Sequence, residues 1–126
     1  MKLTKNFKLT EFGCKDGSGV PERYIDNCVE LAENLQKIRD YFGRPVIINS
    51  AYRTKSHNAK VGGATSSKHL TCSAADIRIE GVETKVLHDA VLTLIERGEI
   101  KQGGVGIYNS FVHYDIRGYK ARWDFR

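Results

Sequence analysis

His69 and Asp76 stand with six residues between them, and His113 stands two residues before Asp115. Two imidazoles and a carboxylate suit zinc, and three protein ligands leave a fourth position for water, the arrangement of a catalytic rather than a structural site. The segments Ser67-Lys-His69-Leu-Thr-Cys-Ser-Ala-Ala-Asp76 and Phe111-Val-His113-Tyr-Asp115 read as two halves of one metal site. A lone histidine is more often a hydrogen-bonded surface or core residue. That reading must here also explain the second histidine and the Gly/Ser-rich stretch before His69. The chemistry these residues point to is zinc-assisted hydrolysis.

Elements must place them. Val46-Ile-Ile-Asn-Ser-Ala-Tyr52 is short and β-branched and predicts a strand, as does Ala74-Ala-Asp-Ile-Arg-Ile79. Val105–Tyr108 and Phe111–Ile116, joined by Asn109-Ser110, predict a hairpin with a two-residue loop. Alternation puts His113 and Asp115 on one face of their strand and Val112, Tyr114 and Ile116 on the other. Asp76 shares a face with Ala74 and Arg78, opposite Ile77 and Ile79. The apolar sets go to a core and the polar sets to a second face where a cleft can form.

Pro21-Glu22 suits a helix start, and Ile25, Val29, Ala32, Leu35, Ile38 and Phe42 recur at helical spacing, with Gly43 and Pro45 as stops. A helix over 22–42 is expected, and a second over 83–97, with Val82, Val86, Leu87, Val91, Leu94 and Ile95 on one face and Gly98 ending it. Residues 53–69 read as a loop, and Arg122–Phe125 as a possible edge strand. The fold class expected is α+β, an antiparallel sheet with helices packed on one side.

Composition sets bounds. A chain of 126 residues suits one domain over 1–126 with a hydrophobic core. No apolar run has the ~18 residues of a membrane helix. The N-terminal stretch lacks the apolar region of a signal peptide, so the expectation is a protein made in the cytoplasm that either stays there or leaves by lysis or as part of a particle. Three scattered cysteines form neither a disulfide framework nor a zinc knuckle. His69-x-x-Cys72 has ligand-like spacing, but Cys72 reads as a small buried residue. A net charge of +5 favours anionic polymers only in a general way. The aromatics lie at core-like strand positions without a stacking platform or recognition helix, which argues against nucleic acid. A monomer is expected, with no membrane partner.

Together the segments Phe7-Lys-Leu-Thr-Glu-Phe12, Ile48-Asn-Ser-Ala-Tyr-Arg53, His57-Asn58, Val61-Gly-Gly-Ala64, Ser67-x-His69, Ala74-Ala-Asp76, Gly104-Val-Gly-Ile-Tyr108, Phe111-Val-His-Tyr-Asp-x-Arg117 and Ala121-Arg-Trp123 resemble the zinc D-alanyl-D-alanine carboxypeptidases and their phage and bacterial cell-wall peptidase relatives. The likeness runs through nearly the whole chain, and its strength lies in the ordered set rather than in any one motif. It implies the hedgehog-type fold, with His69, Asp76 and His113 as zinc ligands and Arg53 binding a substrate carboxylate. A peptidoglycan stem peptide would be the substrate.

Two positions depart from the family. Many members carry an acid three residues before the last zinc histidine, as general base. Ser110 stands there, so the base role passes to Asp115, the nearest carboxylate on the His113 face; a partner holding a ligand histidine is its other reading. Cys72 stands where relatives tend to carry glycine. His57 and Tyr108 are candidates to bind substrate and steady its oxyanion. A catalytically weak or inactive zinc-containing wall-binding module is the alternative function.

Overall fold

The computed structural model describes residues 1–126. Pro21 leads into a 3₁₀ turn, Glu22–Tyr24, which runs on into α1, Ile25–Phe42. Gly43 ends α1 in the left-handed conformation, φ 62°, and donates its N–H to the Arg39 carbonyl, a glycine stop of the expected kind. The buried stripe of α1 is Cys28, Leu31, Ala32, Leu35 and Ile38, rotated slightly from the stripe the spacing predicts. The last helix, Thr84–Glu96, is α3 and buries Leu87, Ala90, Val91, Leu94 and Ile95. Each large aliphatic side chain so buried contributes roughly 1.5–3 kcal/mol relative to exposure.

Five strands follow the predicted segments: β1 Ile47–Ser50, β2 Ala74–Arg78, β3 Gly104–Ile107, β4 Val112–Asp115 and β5 Ala121–Asp124. They form one sheet in the order β1-β2-β4-β3-β5. Ile77, Val105, Val112 and Tyr114 join Leu31, Leu35, Ile38, Leu87, Val91 and Leu94 in one apolar cluster, so the helices cover one face of the sheet as expected.

Two expectations need correction. The sheet is mixed, because β5 pairs parallel to β3 while the other pairings are antiparallel. β4 ends beside the start of β3, and residues 116–120 cross past that end, so β5 turns back opposite to β4 and runs beside β3 in the same sense. Residues 53–69 are not a bare loop, since they contain α2, Lys55–Lys60, and the start of a 3₁₀ turn, Lys68–Thr71. Both are too short for an apolar period to announce them. Hydroxyls at their N-caps do it instead: Thr54 accepts from the His57 N–H and Ser67 from the His69 N–H.

The register builds one row across the sheet. Ser50 pairs with Asp76, Asp76 with His113, His113 with Gly106, and Gly106 with Trp123. Every strand contributes one residue to this row, on the face away from the helices.

Candidate metal centre and cleft

His69 reaches the row from the 3₁₀ turn. Its Nδ1 lies 2.7 Å from the Ala51 carbonyl, which can only accept, so the ring proton sits on Nδ1 and the Nε2 lone pair faces inward. The residue is 2% exposed. His113 is arranged the opposite way round. Its Nε2 lies 2.7 Å from Asp115 Oδ2, which takes the ring proton outward, and Nδ1 faces inward. Asp76 Oδ1 lies 3.3 Å from His69 Nε2 and 3.2 Å from His113 Nδ1.

With each imidazole proton spent on an outer partner, three acceptors meet at one point, and their ligand atoms lie within 4.8 Å of one another. Such a meeting needs a cation between them, either an extra proton or a metal. Burial disfavours a charge on His113, but hydrogen bonds to Asp115 and Asp76 outweigh it and raise its pKa above the ordinary histidine value. For Asp76 too, burial opposes the charge, while His113 and His69 overcome it and hold the carboxyl well below the usual range. Two nitrogens and a carboxylate oxygen, with outward hydrogen bonds already fixing both rings, fit a zinc site in donor type and in tautomer.

The point lies in the wall of a cleft of about 630 Å³, a size usual for small-ligand sites. Arg53 flanks it, donating from Nη2 to Asp76 Oδ2 at 3.2 Å, from Nη1 to Asn58 Oδ1 at 3.3 Å and from Nε to Ser50 Oγ at 3.1 Å. Opposite stand Tyr108, Phe111, Trp123 and Phe125. Tyr108 stacks on Phe111 with ring centroids 4.3 Å apart, and its hydroxyl accepts from Trp123 Nε1 at 3.0 Å. The Trp123 ring lies 4.8 Å from that of His113.

A family model described as Peptidase M15 matches residues 5–115. The chain belongs to the peptidase M15 family. A search of curated proteins finds no match. Family membership points to a zinc metallopeptidase, and the fold is of the α+β class expected from the sequence pattern.

For this M15 member, the structure brings His69, Asp76, His113, Arg53 and Tyr108 to one cleft. Two further site expectations meet a different geometry. His57, on α2, does not line the cleft and stands instead near Cys14 and Asp16. Asp115 does emerge on the same strand face as His113, but it contacts Nε2, the nitrogen turned away from Asp76 and His69. It is 0% exposed, and its oxygens also accept from the Gly104 N–H and from Arg117 Nε and Nη2 at 2.8–2.9 Å. Its oxygens are taken up by these partners on the side of His113 turned away from the three inner ligand atoms. This is the geometry of a partner holding His113 by hydrogen bond, the other reading of Asp115, and it differs from the position beside the inner ligand atoms expected from strand parity alone. Parity fixes which face a side chain takes; it does not say on which side of its neighbour's ring the group ends.

Gly104, Gly106, Asn58, Arg117 and Trp123 lie in the motifs of the resemblance, but residue type and spacing assign them no role. A side chain on Gly106 would overlap the Trp123 indole, and one on Gly104 would overlap the Asp115 carboxylate and Arg117. These strand glycines let a ring and a carboxylate lie close to the backbone. Asn58 is buried, accepting from Arg53 and donating to the Ala64 carbonyl at 2.9 Å, which ties the Gly-Gly segment to the arginine. Cys72 has φ 58°, the only non-glycine residue in the left-handed region. That conformation favours glycine, the residue expected there from the resemblance, and here it is adopted by a buried cysteine.

Proposed function

We propose that residues 1–126 form one zinc peptidase domain that cleaves peptidoglycan stem peptides, of D-alanyl-D-alanine carboxypeptidase or endopeptidase type. The observation that carries this reading is the convergence of His69 Nε2, Asp76 Oδ1 and His113 Nδ1 in a cleft that also holds the Arg53 guanidinium. Zinc held by these three residues would polarise the scissile carbonyl and make a bound water more acidic.

The chain's own groups do the rest. His69 and His113 keep their lone pairs inward because Ala51 and Asp115 take their protons. Arg53 offers a planar fork suited to a substrate carboxylate. That carboxylate is either the free end of a stem peptide or the side chain of an internal D-Glu. Tyr108 receives the Trp123 N–H on its hydroxyl oxygen, which leaves the phenol proton free to face a developing oxyanion. Asp115 acts as a positioning residue on His113. Action on the wall during phage-type lysis fits this substrate.

A second reading is a wall-binding module with weak or no catalysis. It is favoured by one observation: Asp76 is the only carboxylate lining the cleft, and Ser110 occupies the position where many relatives carry the acid. Digestion of purified peptidoglycan, with mass spectrometry of the products, separates the two. Release of stem-peptide fragments, or of terminal D-alanine, by the zinc-loaded protein is expected. Saturable binding to the wall without any product would replace the peptidase reading by the binding one.

A further inference from the structure

A second group of metal-ligating side chains lies outside the cleft. Cys14, Asp16 and His57 each place a ligand atom within 4.8 Å of the others, and none of them lines the cleft. They come from two separate stretches of chain. Cys14 and Asp16 belong to the turn in which Cys14 N–H donates to the Ser18 carbonyl and Gly17 N–H to the Cys14 carbonyl. His57 is in the first turn of α2.

Thr54, the N-cap of α2, fixes the two stretches against each other. Its hydroxyl donates to Asp16 Oδ2 at 2.8 Å and accepts from the His57 N–H at 3.2 Å. Asp16 Oδ1 accepts from the Ser18 N–H at 2.8 Å. The carboxylate is thus oriented before any ligand arrives.

The donor types are informative. Cys14 is a free thiol, only 6% exposed, and the His57 ring makes no hydrogen bond within the protein. The other two cysteines, Cys28 and Cys72, contact each other inside the core. One thiolate, one carboxylate and one neutral imidazole balance the charge of a dication and leave a fourth position to water. Sulfur among the ligands favours zinc-like cations over magnesium or calcium.

We infer that Cys14, Asp16 and His57 form a second binding site for a zinc-class divalent cation, separate from the cleft centre. Binding there releases the Cys14 proton to solvent as the thiolate takes the metal. The cation would clamp the Cys14–Ser18 turn to α2. Because α2 also carries Asn58, which holds Arg53 and the Ala64 carbonyl, the clamp would steady one wall of the cleft. The inference does not depend on the peptidase reading.

The test uses metal-free full-length protein. Zinc uptake is counted by equilibrium dialysis, and cobalt(II) is titrated while the near-ultraviolet thiolate-to-cobalt band is recorded. Wild type should take up two equivalents and show the band, which the His/Asp/His centre cannot produce. Cys14→Ser, a change of one atom, should take up one equivalent and show no band. Asp16→Asn, on the surface, should weaken the second equivalent at least ~10-fold, the lower end for loss of support at a metal site, and leave the first unchanged. One equivalent in wild type, absence of the band, or its persistence in Cys14→Ser overturns the proposal.

Discussion

The two halves of the cleft are built differently. One half is the row Asp76-His113-Gly106-Trp123, held by strand pairing, where each side chain's face follows from alternation. The other half is the stretch 53–69, where Arg53, Asn58 and His69 are held one by one, by hydroxyl caps and by bonds to backbone carbonyls. The contrast teaches where a site tolerates change. A sheet row is fixed by many backbone bonds shared over the whole fold, so altering one side chain removes its chemistry and leaves its neighbours in place. In the stretch 53–69, each polar side chain is also scaffold, so altering one moves the others.

The largest effect should come from the row. His113→Ala and Asp76→Ala should each abolish zinc at the cleft centre and any peptidase activity, leaving the cation at Cys14, Asp16 and His57 in place, with the far-ultraviolet circular dichroism of the folded chain kept. Metal analysis after purification without added zinc checks this, and a variant that still holds one equivalent in the cleft at native affinity would remove that residue from the ligand set.

Asp115→Asn comes next. It keeps shape but loses the charge that holds the His113 proton on Nε2 and that Arg117 grips with two hydrogen bonds. Zinc affinity should fall by about 10–100-fold, the usual cost of losing such a partner. A base role would instead leave affinity intact and lower the rate alone. Asp115 also sets a pH dependence. Burial would raise its pKa, but His113, Arg117 and the Gly104 N–H outweigh it and hold the folded-state value well below the ordinary one. A depressed folded value means stability that is fully present above about pH 4, near the unfolded carboxylate value, and lost as pH falls through the folded value. Thermal unfolding of metal-free protein should show that acid limb, and Asp115→Asn should flatten it.

In the stretch 53–69 the effects are smaller and spread. Arg53→Lys keeps charge without the fork, and should lower kcat/KM by the equivalent of roughly 1–3 kcal/mol while zinc is retained. If wild type turns over free-acid and amidated stem peptides equally, Arg53 does not read a terminal carboxylate. Asn58→Ala should be the smallest on chemistry but visible in stability, at about 1–3 kcal/mol, since it removes two hydrogen bonds of a buried amide, to Arg53 and to the Ala64 carbonyl, at about 0.5–1.5 kcal/mol each. Were it to cost nothing, the Gly-Gly segment would be held by something other than Asn58.

Legibility followed the same division. Strand alternation placed Asp76 and His113 together and sent Val112 and Tyr114 to the core, because the period of two is a property of every extended chain. The stripes of α1 and α3 were legible for the same reason at a longer period. The order β1-β2-β4-β3-β5 and the parallel placement of β5 were not, since pairing partners are chosen by packing over the whole sheet. Nor were α2 and the 3₁₀ turn that carries His69, which are shorter than a readable period.

The residue types alone determined what chemistry this protein could hold: two imidazoles, a carboxylate and a guanidinium, in an order shared with the M15 family. Only the tertiary structure decided how each one is used. Asp115 lies on the outer nitrogen of His113, turned away from Asp76 and His69, and His57 stands with Cys14 and Asp16 and not in the cleft. Composition and spacing constrain the local backbone, whereas the hydrogen-bond partners the fold brings up, Ala51 for His69 and Asp115 for His113, settle which nitrogen bears a proton and where a lone pair points.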